Sequence, residues 1–377
     1  MAAGQQYHVA VVGGGAIGLA SAWRAAARGL RTIVLDAGEP GAWHVAAGML
    51  APVAEAEFGE HELLELGLRS ARAYESFCAE LAVASGRDPG LRTQGTLVVA
   101  RDADEAEALE RLLAFRRAVG LEVERLRPSQ ARRAEPALAP SIRLALDAPG
   151  DHSIDPRRLV AALADAVECA GGEVRRARVA AVESEGGRVT GVALEGGESV
   201  AAEAVVVAAG VHVGAIDGIP DPVPVRPVKG QVLRLRDPRG PGLVERTIRS
   251  EQAYLVPRGD GRYVLGATME DRGFDTAPTA GGVYELVRDM SEVVPGILEF
   301  EISELEAGLR PATPDNLPAI GRGALDGLVW ATGHHRNGIL LTPVTAELVY
   351  LALTGEPAPD WAAAADPARF ARAEAAR

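Results

Sequence analysis

The sequence predicts an α/β plus α+β chain: a Rossmann-type parallel sheet with a β-meander, and an antiparallel sheet beside it. Three observations lead there. A G-x-G-x-x-G turn lies between two apolar strands, the second of which ends in an acid. Residues 172–210 are rich in β-formers and punctuated by Gly-Gly pairs. Two other segments, 87–146 and 221–302, read as strands with few helices.

The first element lies in "HVAVVGGGAIGLASAWRAAARGLRTIVLDAG", His8 to Gly38. Val9, Ala10, Val11 and Val12 form a continuous apolar run, as in a parallel strand covered on both faces. Gly13, Gly15 and Gly18 follow in G-x-G-x-x-G spacing and open an alanine-rich helix. Thr32–Leu35 is a second apolar strand and ends at Asp36, 18 residues after Gly18. Gly13 makes the tight turn, Gly15 lets the backbone approach a pyrophosphate, and Gly18 lets helix and strand pack closely. The helix N-terminus faces the phosphate charge. Asp36 is placed to accept hydrogen bonds from a ribose 2′-hydroxyl. Gly13, Gly15, Ala16, Ile17, Gly18, Asp36 and Ala37 are therefore assigned to a dinucleotide site. NAD and FAD share this fingerprint.

Further along, "QGTLVVA" is a strand and "ADEAEALERLLAFRRAVG" an amphipathic helix. In "IDPRRLVAALADAVECAGG", Asp155 is the expected N-cap, Pro156 suits the first turn, and Gly171-Gly172 stops the helix. The β-rich stretch then gives three strand-like runs separated by Gly-Gly turns, followed by a separate buried strand from Val205 to Ala208. "VKGQVLRLR" and "AYLVPRGDGRYVLGATM", with a Gly-Asp-Gly hairpin turn, continue the second sheet, and "GGVYELVRDMSEVVPG" is a helix. The C-terminal strand Leu328–Ala331 runs into a Gly-rich loop and a helix with Thr342 as N-cap and Pro343 in its first turn. The meander, the strand ending in Ala209-Gly210 and the returning helix N-terminus together favour FAD over NAD. Such a helix end stabilises negative charge on a reduced flavin. The tail after Trp361 has little apolar content and is expected to fray.

Bulk properties narrow the rest. The chain has 377 residues, 47% apolar and 24% charged, and no apolar run approaches the ~20 residues of a membrane span. A net charge of −13 argues against a nucleic-acid footprint. The first residues lack the basic region and cleavage site of a secretory signal, and only Cys78 and Cys169 are present, which fits a reducing cytoplasmic setting. Both cysteines read as helix packing positions. His334 and His335 are adjacent with no third ligand spaced to complete a metal site, so no metal is expected. His61, His152 and His212 are isolated and read as surface or satisfied polar residues.

Four stretches carry a resemblance: "VVGGGAIG", "AAGMLAP" (46–52), "AGLRPATPDNLPAIG" and "GHHRNGILLTP". With them the chain resembles the glycine oxidase family, within the D-amino acid oxidase superfamily and its glutathione-reductase-type FAD fold, over nearly all of residues 7–361. The resemblance implies that Ala46, Ala47, Gly48 and Met49 pass along the flavin and that Val179 meets the adenine through its backbone. It implies that His334, His335, Arg336, Asn337, Gly338, Ile339 and Leu340 surround the isoalloxazine ring. It also places Tyr254 in the active site and implies a cytoplasmic homo-oligomer, up to a tetramer, linked to thiamine biosynthesis. Sarcosine oxidases in the superfamily attach flavin through a cysteine in the C-terminal half; this chain has none there, which implies noncovalent FAD. Two departures stand out. Trp43, His44 and Val45 replace the Ser or Thr often found near the flavin phosphates, and Gln252 stands where a His sometimes occurs. The implied organisation is a discontinuous FAD-binding domain (1–86, 147–220, 303–362), a substrate-binding domain (87–146, 221–302) and a tail (363–377).

Oxidising an amine at its α-carbon needs a held substrate, a neutral amine and a Cα aimed at flavin N5 for hydride transfer. No side-chain acid or base acting on carbon is required, because the cofactor carries the redox chemistry. "EAGLRPATPDNLPAIG" sets Arg310 in a small apolar frame, and a planar guanidinium suits a carboxylate. Arg310 is the expected clamp, Tyr254 a second donor, and Arg336 a pocket-lining residue. The reading is oxidation of a small amino acid with O2 as acceptor. The alternatives are a D-amino acid dehydrogenase feeding a quinone or carrier, an NAD-dependent dehydrogenase, and a non-catalytic flavoprotein.

Overall fold

The computed structural model describes residues 6–375. In the first eight-stranded sheet the order is Val179–Glu185, Arg188–Leu194, Ser199–Val207, Tyr7–Val12, Thr32–Asp36, Glu173–Arg176. Leu328–Thr332 joins on Ser199–Val207 and carries Ala319–Arg322 at its outer edge. Tyr7–Val12 is buried on both faces, as its unbroken apolar run requires. Val9 and Val11 enter a core with helix residues Leu19, Trp23 and Phe77, whereas Ala10 and Val12 enter one with meander residues Val182 and Val192.

The β-meander corrects one expectation. The third run and the buried strand after it are one continuous strand, Ser199–Val207. Its first half pairs antiparallel with the meander (Ala201 opposite Gly191). Its second half runs parallel between Tyr7–Val12 and Leu328–Thr332 (Val206 opposite Val11 and Val329). The residues show why: Ser199–Ala202 alternate exposed and buried, while Val205–Val207 are all buried. Half-solvated pairing thus gives way to a fully covered parallel strand without a break.

Helices Ala16–Ala27, Pro156–Cys169, His61–Ser85 and Thr342–Thr354 cover one face of this sheet. Asp155 caps the second of them, accepting from Arg157 N (3.1 Å) and Arg158 N (3.4 Å). The last begins one residue earlier than expected: Leu341 is its cap residue, and Thr342 turns its hydroxyl back to Gly338 O at 2.9 Å. Cys78 is buried as read, but Cys169 is exposed, because it falls at the last turn where the helix leaves the core.

The second sheet also has eight strands, in the order Glu301–Ala312, Arg226–Arg236, Arg262–Gly266, Tyr254–Pro257, Thr247–Arg249, Thr96–Ala100, Leu144–Ala148, Glu124–Leu126. It is not wholly antiparallel. Thr247–Arg249 runs parallel to Thr96–Ala100, with Ile248 opposite Leu97. These strands come from segments far apart in sequence, so no hairpin forces an antiparallel join. The tail is structured over its described part. Asp360–Ala365 forms a 3-10 turn with Ala362 and Ala365 buried, and the helix Ala368–Ala375 follows. Arg369 fixes that helix by pairing with Asp315 at 2.8 Å and Leu317 O at 2.8 Å.

Candidate active site

A cavity of about 1260 Å³ runs from the Gly13–Ile17 turn to the face of the second sheet. At the turn, Gly13 has φ 108°, and a Cβ there would lie 2.5 Å from Ala208 O. The backbone is therefore bare at the mouth of the helix Ala16–Ala27, as phosphate binding requires. Asp36 accepts from Gly14 N (2.6 Å) and Gly38 N (2.7 Å), so its carboxylate fixes the turn as well as lining the cavity. Ala16, Ile17, Ala37, Ala46, Ala47, Gly48, Met49 and Val179 also line it. Gly18 does not; a Cβ there would collide with Gly13 O, so its role is helix–strand packing. Trp43 fills the departure noted in the sequence: its indole edge lies 3.4 Å from the Cβ position of Gly15.

His334, His335, Arg336, Gly338 and Ile339 reach the cavity, whereas Asn337 and Leu340 do not line it. The loop is held from behind. Ser70 donates to Leu340 O (2.6 Å) and Tyr74 to Ile339 O (2.7 Å), both from the helix His61–Ser85. His334 Nε2 is 2.9 Å from the Thr345 hydroxyl, and burial pushes its pKa down to about 3. His335 sits in the left-handed region at φ 46°. Burial, reinforced by the charges of Arg310, Arg336 and Arg226, takes its pKa down to about 4. Both imidazoles are neutral near pH 7.

The second sheet supplies the other wall. Gly230 and Gly308 are register partners on its cavity side. A Cβ on Gly230 would lie 2.6 Å from Arg310 Nη2, and one on Gly308 would strike Val45. The bare backbone lets the Arg310 guanidinium lie across the sheet, where it donates to Thr268 O (3.2 Å) and Lys229 O (3.4 Å). Tyr254 is opposite Gly266 and Arg249, and it lines the same cavity. Burial raises the Tyr254 phenol above its ordinary value, while the Arg310 guanidinium beside it pulls the other way. The phenol keeps its proton at neutral pH and can donate.

Charge pairing separates the lining arginines. Arg178 meets Glu39 (2.5 Å), Arg336 meets Glu60 (2.6 Å) and Arg249 meets Glu55. Arg310 has no acid partner among the described residues; it donates to the two carbonyls and lies beside the Tyr254 phenol. Sequence reasoning found Arg310 and Tyr254 but missed Glu55, Arg249 and His212, which line the cavity from loops or strand ends without a motif. His212 is exposed, as its surface reading expects, and it stacks on Phe274 with ring centroids 5.8 Å apart. Near Trp43, His44, Glu304 and Glu306 come close enough to suggest a cation site. Arg157 lies 2.7 Å from each glutamate and Arg234 lies 3.4 Å from Glu306, so arginines already neutralise the group.

The cavity fits a dinucleotide at one end and an anion beside Arg310 at the other. The FAD dependent oxidoreductase (DAO) family description matches residues 8–350. Glycine oxidase of Geobacillus kaustophilus is 36% identical over 354 residues, 91% of this chain and 92% of that protein. The bifunctional protein ThiO/ThiG of Synechocystis sp. is 34% identical over 348 residues, and this chain spans 50% of its length. The crystal structure of glycine oxidase from Geobacillus kaustophilus superposes with a TM-score of 0.89 at 34% identity, covering 96% of this chain and 98% of that one. These matches span most of the chain, and the chain belongs to the DAO family as an FAD-dependent oxidoreductase.

Proposed function

We propose that the chain oxidises glycine or another small D- or N-methyl amino acid with noncovalently bound FAD. The products are an imine, hydrolysed to 2-oxo acid and ammonia (methylamine from an N-methyl substrate), and hydrogen peroxide from O2, in service of thiamine thiazole synthesis. The observation that carries this reading is Arg310: a part-buried guanidinium in the cavity with no carboxylate partner among the described residues. Such a cation is completed by a ligand anion, and its fork matches a carboxylate bidentately. Tyr254, protonated and adjacent, adds a hydroxyl donor to the same anion. The Gly13–Ile17 turn and Asp36 hold the nucleotide end, and residues 46–49 and 334–339 line the region between the two ends. FAD, when bound, supplies the two-electron acceptor. The protein positions the substrate and excludes water.

Arg310→Ala tests the reading. Removing one partner of a desolvated charge pair costs about 2–5 kcal/mol, roughly thirty-fold to several-thousand-fold in kcat/KM. The loss is expected for glycine and other carboxylate substrates while FAD occupancy and the flavin spectrum persist. Arg310→Lys recovers part of it, because an ammonium keeps the charge but not the fork. Near-wild-type efficiency on glycine would reduce Arg310 to a tie to the Lys229 and Thr268 carbonyls. Equal loss of flavin would make it a cofactor residue instead.

A further inference from the structure

Arg249 is the second guanidinium on the substrate wall. It lies directly opposite Tyr254 in an antiparallel pair, so both side chains stand on the cavity face, one strand spacing (about 5 Å) apart. Its strand is paired on both sides, with Tyr254–Pro257 and with Thr96–Ala100, so the backbone beneath it is fixed. Glu55 neutralises it. Glu55 comes from a loop, and that loop is clamped by two buried ionisable groups. The Asp151 carboxylate accepts from Val53 N (3.1 Å) and Ala54 N (2.5 Å), and Arg116 donates to Ala54 O (2.8 Å) and Ala56 O (3.4 Å). Their relative exposures are 0% and 1%, so this turn cannot shift without uncovering or orphaning them. The carboxylate of Glu55 is thus delivered to Arg249 by a rigid support.

Among the described residues this arrangement leaves the substrate wall with one cation, Arg310, available to an anion. We propose that Glu55 is a specificity determinant that masks Arg249, holding the pocket to monocarboxylate substrates. Removing its charge would expose a second anion subsite one strand beyond Tyr254. The ligands that subsite takes are dicarboxylates such as iminodiacetate, D-aspartate and malonate. The inference rests on the proposed role of Arg310, because a second carboxylate matters only if the first is held there.

The test uses the FAD-loaded full chain and reads binding separately from turnover. Malonate and acetate are titrated against wild type, Glu55→Gln and Glu55→Gln/Arg249→Gln, following the flavin absorbance change. In Glu55→Gln the malonate-to-acetate affinity ratio is expected to rise about tenfold to a hundredfold, less than for a fully desolvated charge pair because both side chains are partly exposed. The kcat/KM ratio of D-aspartate to D-alanine should rise with it. The double variant should lose the gain, which separates an effect of Arg249 from general loosening of the loop. An unchanged ratio in Glu55→Gln, or a gain that survives in the double variant, overturns the masking role. If acetate perturbs none of the three proteins, the carboxylate site at Arg310 fails first and the inference with it. Should Glu55→Gln fold poorly, Arg249→Gln gives the complementary reading. Leaving Glu55 unpaired at the pocket should weaken malonate more than acetate by a similar factor, and equal weakening of both counts against the proposal.

Discussion

His335 combines a left-handed backbone, a buried ring and an Nε2 with no partner among the described residues. With His334 it gives the protein a defined response to acid. Folded values of about 3 and about 4 lie below the ordinary 6.5. Between those values and 6.5 the unfolded chain binds more protons than the folded one, so stability is full above about pH 6.5 and falls as the pH drops toward 4. At pH 5 each imidazole should remove about 2 kcal/mol. Asp151 works in the opposite sense: burial raises it from 3.8 to about 7, so its contribution falls as pH rises across that interval. The informative quantity is therefore a difference. His335→Asn keeps a residue that tolerates positive φ but does not titrate. Urea unfolding at pH 7 and pH 5 should show a smaller acid loss in the variant, by about 2 kcal/mol. Parallel curves would mean His335 titrates normally in the folded state.

The element that matters most for the cofactor is the helix Ala16–Ala27, which must start close against Tyr7–Val12 to present its amides. Gly18 makes that approach possible, because a methyl there would overlap Gly13 O. Gly18→Ala is expected to lift the first turn of the helix off the strand. Overpacking of this kind costs about 1–3 kcal/mol. The weakening should appear twice, in the unfolding midpoint of the apoprotein and in the affinity for FAD measured by titration. An apoprotein that binds FAD as tightly as wild type would show that helix–strand distance does not govern the phosphate site. The helix Thr342–Thr354 carries its own restraint, since Ser70 and Tyr74 tie the preceding loop to His61–Ser85.

At the scale of the molecule, the two large sheets are joined beside the cavity by a charge network. Arg157, on the helix behind the first sheet, reaches Glu304 and Glu306 on the second sheet at 2.7 Å each and His44 O at 3.1 Å. The Arg157 guanidinium holds the Glu304 carboxyl below its usual range. These groups are partly exposed, so the pairing is screened and each contact is weaker than its geometry suggests. Arg157→Ala should cost about 1 kcal/mol at low salt, and less at high salt, in thermal unfolding of the holoprotein. No change at low salt would mean that Arg234 alone holds the glutamates. Among the described residues no helix is long and apolar enough to cross a membrane.

The sequence by itself determined the parts whose signals are local. Apolar runs, glycine spacing and the acid at Asp36 specified the nucleotide turn, because steric and hydrogen-bonding demands there act within some thirty residues. Proline, aspartate and Gly-Gly pairs marked the helix start at Pro156 and the meander turns for the same reason. Residue type and the resemblance supplied Arg310, the resemblance supplied Tyr254, and the structure brings them together across the two strands that lie between theirs. Only the tertiary structure decided which arginines lack an acid partner, since Arg249 and Glu55 are 194 residues apart and pair through the packing of a loop on a strand. It also decided that Ser199–Val207 serves two pairings, that one strand contact is parallel, and that the tail helix docks through Arg369. Each of these depends on which surfaces meet, and a one-dimensional pattern carries no record of that.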